Sequence, residues 1–355
     1  MAALDKRINA FVKLGDFLRE HSNSTASNSN SKAVDRESEW HSKFDEAIVI
    51  AGHKNGWFTK EQVKFAINNW AEQLTEPNLT KWLKPYPLQQ NNHKTVAIIM
   101  AGNIPLVGFH DFIAVIISGN RVLAKCSSND TILLPFIANY LTHIEPDLSS
   151  EINFTEGRLT DFEVVIATGS NNTARYFDYY FGNKPNIIRK NRNSVAVLNG
   201  METEDQLAAL GEDIFRYYGL GCRNVSKLYV PENYSFDSFF KSIEPYQSLS
   251  EQNKYSNNYD YNKAVYLMSE FLFLDNGFFL LKEDERYASP IGTAFYETYA
   301  SEEDLKKRLL QDADMIQCIV GGDMIENSLP FGKTQKPELW DYADGIDTVE
   351  FLLKT

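Results

Sequence analysis

Val96-Ala97-Ile98-Ile99-Met100-Ala101-Gly102-Asn103-Ile104-Pro105 is the stretch on which the reading of this 355-residue chain turns. Five consecutive apolar residues run into a Gly-Asn turn. A second apolar segment, 104–118, follows and predicts a buried helix. A strand apolar on both faces, then a turn, then a helix, is the repeating unit of a parallel sheet covered on both sides. The pattern recurs downstream. Arg121-Val122-Leu123-Ala124-Lys125 predicts a strand and 129–143 a helix. Glu163-Val164-Val165-Ile166-Ala167 predicts another strand, with a helix from Asn172 to Phe181. Ser194-Val195-Ala196-Val197-Leu198 closes the set. The expected fold class is therefore α/β, with this parallel sheet at 91–199. Such sheets bind ligands at the carboxyl ends of their strands.

The flanks read differently. Residues 1–90 predict a helical N-terminal segment. Leu4 to Glu20 is amphipathic, and helices resume near Trp40 and at Thr59, where Thr59 and Gln62 form a capping-box pattern. Between them lies a tract of Ser and Asn that cannot bury apolar surface, expected as a flexible loop at 22–33. Residues 200–328 predict a second α/β domain. A helix from Thr203 to Tyr218 opens with Thr203 and Gln206 as a capping box and stops at Gly219. Lys227 to Val230 is a strand halted by Pro231, and 232–262 read as loop-like or irregular. Asp275-Asn276-Gly277 between two apolar runs signals a hairpin. Residues 329–355 form a C-terminal segment, expected to return to the cleft between the two domains.

Composition narrows the function classes. The chain is 43% hydrophobic and 23% charged, which is ordinary for a globular protein. No run approaches the roughly 18 apolar residues of a membrane helix, and charges interrupt the N-terminus too often for a signal peptide. Three cysteines, Cys126, Cys222 and Cys318, have neither disulfide nor zinc spacing. They imply free thiols in a reducing cytoplasm and no metal site. The net charge of −13 argues against nucleic acid. The one dense basic cluster, Arg189, Lys190 and Arg192, is either a solvated face or a contact for the phosphates of a small ligand.

Several turns carry residues with chemical potential. Asn103 either caps the helix start, with Pro105 in its first turn, or offers its amide to an oxyanion. Lys125 ends a strand at the sheet edge and is either solvated or positioned for a ribose. Thr168-Gly169-Ser170 is a strand-to-helix turn, where glycine permits close approach and a helix start attracts phosphate. Cys222 sits in Gly219-Leu220-Gly221-Cys222-Arg223-Asn224. The flanking glycines favour exposure, and Arg223 next to it is expected to lower the thiol pKa. Cys126 and Cys318 read as structural. Pro330-Phe331-Gly332 is a late turn.

In this order and spacing, Asn103-Ile104-Pro105, Lys125 after Gly119-Asn120, Gly169-Ser170, Cys222 and Pro330-Phe331-Gly332 resemble the aldehyde dehydrogenase superfamily. The resemblance is specifically to its short LuxC-like acyl-CoA reductase branch. It runs from about residue 94 to the C-terminus, and Trp57-Phe58-Thr59 also look like that branch. It implies a cofactor-binding domain and a catalytic domain with a helical N-terminal segment. Asn103 matches the superfamily's oxyanion asparagine and Cys222 its catalytic cysteine, although Leu220 stands where the signature has glutamine. Lys125, Thr168, Gly169, Ser170, Pro330 and Phe331 match cofactor-contacting positions. Ser128 replaces the glutamate that NAD-preferring members often carry, which favours NADPH while leaving NADH open. No acidic residue lies between Asp178 and Glu202, where hydrolytic members keep a base that activates water.

The resemblance therefore implies reduction of an acyl-CoA to a fatty aldehyde through a cysteine acyl-enzyme. An acyltransferase or thioesterase, or a reductase of aldehydes or acyl phosphates, is the alternative. It further implies a homo-oligomer and a partner enzyme that activates or transfers acyl groups.

Overall fold

The computed structural model describes residues 2–24, 36–88, 93–322 and 324–355. The chain divides into two compact units, 1–190 with 338–355, and 191–337. Most of the polar tract expected as a loop at 22–33 lies outside the described residues; Ser22 to Ser24 are the last turn of a helix.

The first unit begins with four helices, α1 (Leu4–Ser24), α2 (Arg36–Lys54), α3 (Lys60–Gln73) and α4 (Glu76–Leu83). Thr59 stands at the N-cap of α3, but its side chain makes no capping bond, so the expected capping box is absent. The sheet follows as β1 (Thr95–Ile99), α5 (Phe109–Ile117), β2 (Arg121–Lys125), α6 (Leu133–Ile144), β3 (Ile152–Phe154), β4 (Val164–Thr168), α7 (Asn171–Phe181) and β5 (Asn186–Arg189). Its order is β3-β2-β1-β4-β5 and every pair is parallel. Strand order reverses between β1 and β4, and a crevice at the carboxyl ends of such a pair is where open parallel sheets take ligands.

Helix α5 is apolar around its circumference because it is enclosed. Phe109, Phe112, Ile113, Val115 and Ile117 are all inaccessible to solvent. It is sandwiched between the sheet and the N-terminal helices, with α1 packing on α5 and α6. Arg7 of α1 is itself buried and donates to the Ile116 carbonyl at 3.0 Å. The four helices thus share one core with the sheet. The C-terminal segment joins it: Trp82 Nε1 donates to the Tyr342 hydroxyl at 2.7 Å, and the Tyr86 hydroxyl donates to Asp347 at 2.6 Å, just before α12 (Thr348–Lys354).

The second unit contains β6 (Asn193–Val197), α8 (Glu204–Phe215), β7 (Val225–Pro231), α9 (Asp237–Ile243), α10 (Asn253–Met268), β8 (Phe273–Asp275), β9 (Leu280–Glu283), β10 (Thr293–Tyr299), α11 (Glu302–Gln311) and β11 (Ile316–Val320). Its sheet has the order β11-β6-β7-β10-β9-β8, parallel except for the β8–β9 hairpin expected from Asp275-Asn276-Gly277. Two apolar cores lie against it, one including Leu210, Leu228 and Phe239, the other Val195, Tyr229 and Leu305.

Three expectations change here. The strand at 194–198 does not close the first sheet: β6 pairs with β7 and β11. Its side chains are apolar on both faces, so its composition suits either sheet and only the pairing decides. The stretch 232–262 is largely helical, in α9 and α10. Two of its tyrosines, Tyr255 and Tyr259, point inward and are buried, which a composition-based reading misses. Helix α8 begins with the expected reciprocal Thr203–Gln206 capping box but ends at Phe215, since Tyr217 and Tyr218 take left-handed backbone angles. Among the described residues, no helix is long and apolar enough to cross a membrane.

Candidate functional site

The first unit gathers six of the residues singled out in the sequence at one edge of its sheet. Asn103 follows β1, Lys125 ends β2 with Ser128 beyond it, and Thr168, Gly169 and Ser170 end β4 and open α7. Lys125 Nζ donates to the Gly157 carbonyl at 2.7 Å. That uses one of three ammonium donors on a neutral acceptor and leaves the charge available. Ser128 is exposed. Ser170 caps α7, its Oγ accepting from the Thr173 N–H at 3.2 Å. Gly169 has a local reason: a Cβ there would lie 3.0 Å from Thr173 and Phe177 of its own helix. Packing, rather than a ligand's approach, accounts for that glycine. The donor set still suits a dinucleotide. An ammonium and a helix N-terminus at the same sheet edge both attract phosphate-bearing groups.

Asn103 is not a helix cap. Helix α5 starts only at Phe109, because Leu106 adopts φ 58° and the chain turns instead of coiling. Neighbours hold the turn in place. Asn55, buried between α2 and α3, donates to the Gly102 carbonyl at 3.2 Å. The Asp130 carboxylate accepts from the backbone N–H groups of Leu106 and Leu133, tying the turn to the start of α6. Gly102 lies against Ser127 so closely that a Cβ would approach it to 2.7 Å. Sequence reading missed Asn55 and Asp130, since both are ordinary turn residues whose partners are distant in the chain.

Burial raises the Asp130 carboxyl to about 6, against the two N–H donors that lower it. Its folded pKa exceeds its unfolded value, so its contribution to stability is greatest below about pH 4 and declines as pH rises to about 6. A shift of that size corresponds to about 3 kcal/mol. The stability difference between wild type and Asp130→Asn, followed by urea unfolding from pH 4 to pH 7, should move by about that amount in favour of the variant. A difference that stays flat across this range would rule the assignment out.

The basic cluster is not a phosphate contact. Arg189 is buried, ion-paired with Asp111 of α5 and donating to Thr348 Oγ1 at 3.1 Å. Arg192 donates to the carbonyls of Ala313 and Ile316, each at 3.3 Å. Lys190 lies 4.0 Å from Asp178.

The second unit presents Cys222, the only exposed cysteine of the three. Its loop is built by a hub that the sequence did not reveal. Asn224 Nδ2 donates to the carbonyls of Asp213, Ile214 and Arg216, at 3.1, 3.2 and 2.8 Å, and its Oδ1 accepts from the Gly221 N–H at 2.8 Å. The Ser194 hydroxyl donates to the Cys222 carbonyl at 3.0 Å. These bonds hold three consecutive left-handed residues, Tyr217, Tyr218 and Gly219, ahead of the thiol. Non-glycine residues in that region carry strain that persists only where the surroundings enforce it. Arg223 Nη1 approaches Cys318 Sγ at 3.4 Å. Burial pushes the Cys126 thiol up to about 11, which disfavours its thiolate.

Pro330 and Phe331 are fixed by Asp213. The inaccessible Asp213 carboxylate accepts from the N–H groups of Gly332 and Thr334, at 2.6 and 2.9 Å, and from Thr334 Oγ1 at 2.9 Å. Burial pushes its pKa upward against these bonds. Through Asn224, the Asp213 backbone also supports the cysteine loop, so one residue joins Cys222 and the Pro-Phe-Gly turn. The sequence did contain a signal here. An aspartate three residues after Leu210 and next to Ile214, on the apolar stripe of α8, requires a buried partner. Beside the turn lies a depression of about 570 Å³ lined by Gln206, Ala209, Gly321, Pro330 and Phe331.

No family model matches this chain, and no curated protein matches it in sequence. Solved structures do match. Aldehyde dehydrogenase 21 from Physcomitrella patens, in complex with the product succinate, superimposes with a TM-score of 0.65 at 12% identity, covering 99% of this chain and 89% of its own. The aldehyde dehydrogenase KauB from Pseudomonas aeruginosa gives 0.64 at 12%, over 90% of this chain and 72% of its own. A variant of aldehyde dehydrogenase C from Pseudomonas syringae, with NAD+ and octanal, gives 0.63 at 11%, over 90% and 72%. The fold is aldehyde dehydrogenase-like α/β.

Proposed function

We propose that this chain is a nicotinamide-linked oxidoreductase acting on acyl groups through Cys222, and that it reduces an acyl-CoA to an aldehyde with NADPH. The observation that carries the reading is a single exposed thiol on a strained loop, immobilised by Asn224 and Ser194, within an aldehyde dehydrogenase-like fold. An exposed, rigidly presented cysteine suits nucleophilic catalysis.

The steps balance as follows. Cys222 Sγ loses its proton and bonds to the thioester carbonyl carbon. The resulting oxyanion is assigned to the Cys222 N–H. The bond to the coenzyme A sulfur then breaks, and that thiolate takes up a proton. A nicotinamide, when bound in reduced form, would supply the hydride that the acyl carbon takes up. Cys222 leaves as a thiolate, and the aldehyde is released.

Reduction is favoured over hydrolysis because no acidic residue lies between Asp178 and Glu202, where the resemblance places the base that activates water.

Intact-mass measurement tests this. Mixing with an acyl-CoA and no cofactor should add one acyl mass to the wild type and none to Cys222→Ala. Added NADPH should then discharge it as aldehyde. An adduct that forms on the variant would overturn the role of Cys222. One that discharges in water at the same rate without NADPH would instead favour a thioesterase.

A further inference from the structure

Strand β8 is the outermost strand of the six-stranded sheet, and among the described residues no strand pairs with its outer side. Its sequence is not that of an edge. The run leading into it, Phe271-Leu272-Phe273-Leu274, is apolar at four successive positions. That is the pattern of a strand enclosed on both faces. Natural edges are blunted by lysine or proline because their open backbone groups invite another strand. Neither residue stands in this run. Phe271 and Phe273 lie against Tyr266 of α10, with ring centroids 6.2 and 5.9 Å away. Leu274, next along, points to the other face of the sheet.

The end of α10 extends the apolar surface. Tyr255, Tyr259 and Tyr266 are buried, whereas Leu267 and Met268 are 60% and 86% exposed. A helix apolar on both sides is ordinarily covered on both. The Phe271 N–H donates to the Tyr266 carbonyl at 3.0 Å, turning the chain from the helix end into the strand. Leu272, in that turn, is 92% exposed. Monomers rarely expose a contiguous apolar patch beyond about 300–600 Å². Leu267, Met268, Phe271, Leu272 and Leu274, each at least 40% exposed, reach that range. With the open strand they approach the roughly 800 Å² per partner of a stable interface.

Charge decides which occupant fits. The cations nearby are paired: Lys263 with Asp275 and Arg286 with Asp284, each at 2.6 Å, and Lys282 with Asp284 at 2.7 Å. Glu270 is exposed in the turn. A lipid-facing surface instead borders its apolar side chains with lysine and arginine that meet anionic headgroups. A second copy of this chain fits better. Two identical edge strands related by a two-fold axis run antiparallel by symmetry. With the axis at Phe273 or at Leu274, Asp275 faces a phenylalanine of the other copy, so the two aspartates stay apart.

We propose that two copies of this chain associate through β8, joining their sheets across a two-fold axis and covering Leu267, Met268, Leu272 and Leu274. The proposal is independent of the reaction assigned above.

Sedimentation of the full chain over a micromolar concentration series tests it. Wild type should reach twice the 40.6 kDa of one chain. Leu272→Asp places two carboxylates at the joint and should raise the dissociation constant at least about 10-fold. Met268→Asp, on the helix, should weaken association in the same direction. Leu310→Asp, on α11 and 79% exposed, should leave it unchanged. All three side chains are largely exposed in the single chain, so far-UV circular dichroism should match wild type. A wild type that stays monomeric throughout the series overturns the proposal. So does a dimer that both Leu272→Asp and Met268→Asp leave equally tight, since association would then use another surface. Equal weakening by Leu310→Asp overturns it too. Wild type that pellets with vesicles of phosphatidylcholine and phosphatidylserine, when Leu272→Asp does not, would give the patch to a lipid surface instead.

Discussion

Replacing Cys222 with alanine is expected to lower acyl-CoA reduction by at least about 10³-fold, the scale on which loss of a catalytic nucleophile acts, while NADPH binding is unchanged. The residue is exposed and its side chain supports no core, so a loss of turnover would not reflect unfolding. The other thiols provide the contrast. Cys126 has its pKa raised to about 11 and is protonated at neutral pH, and Cys318 is buried in β11. A thiol reagent near pH 7 should therefore label Cys222 first and inactivate in step with that labelling. Cys126→Ala should retain activity. Turnover surviving in Cys222→Ala within tenfold of wild type would remove the covalent mechanism.

The largest effect on stability is expected from Asp111→Ala. Asp111 and Arg189 are both more than nine-tenths buried and paired directly. Removing the carboxylate leaves a guanidinium inside the first unit with Thr348 Oγ1 as a neutral partner. Breaking one side of such a pair costs about 3–5 kcal/mol, since the remaining charge is already desolvated. The double variant Asp111→Leu, Arg189→Met should recover most of that loss, because it removes both charges and keeps the volume apolar. Urea unfolding of the three proteins measures this. High salt should not rescue the single variant, as buried charges are screened little. A loss below 1 kcal/mol for Asp111→Ala would mean that the pair is solvated.

Arg189 shows where sequence reading reaches its limit. Three basic residues in four positions look like a surface patch or a phosphate site. Arg189 instead points into the protein from the end of β5, to an aspartate 78 positions earlier and a threonine 159 positions later. Arg223 also reaches Cys318, 95 positions further along the chain. Adjacent residues on a turn or strand project in different directions, so proximity along the chain is a poor guide to charge partners. Asn224 was invisible for the opposite reason. Its identity is commonplace, and its value comes from three carbonyls at the end of α8 that the fold brings within reach.

What the sequence determined by itself was whatever follows from local pattern. Apolar runs of five predict strands because a strand buried on both faces must be apolar throughout. The Thr203–Gln206 capping box formed because its partners lie three residues apart. The exposure of Cys222 agrees with the glycines around it. Tertiary structure alone decided which sheet β6 joins, how Leu106 turns the chain away from a helix after Asn103, and that Tyr255, Tyr259 and Tyr266 of α10 face inward. Each depends on residues far along the chain. Pairing energy in a parallel sheet is nearly the same for any apolar strand, so the choice of neighbour is made by the packing of the whole unit and leaves no mark in the strand itself.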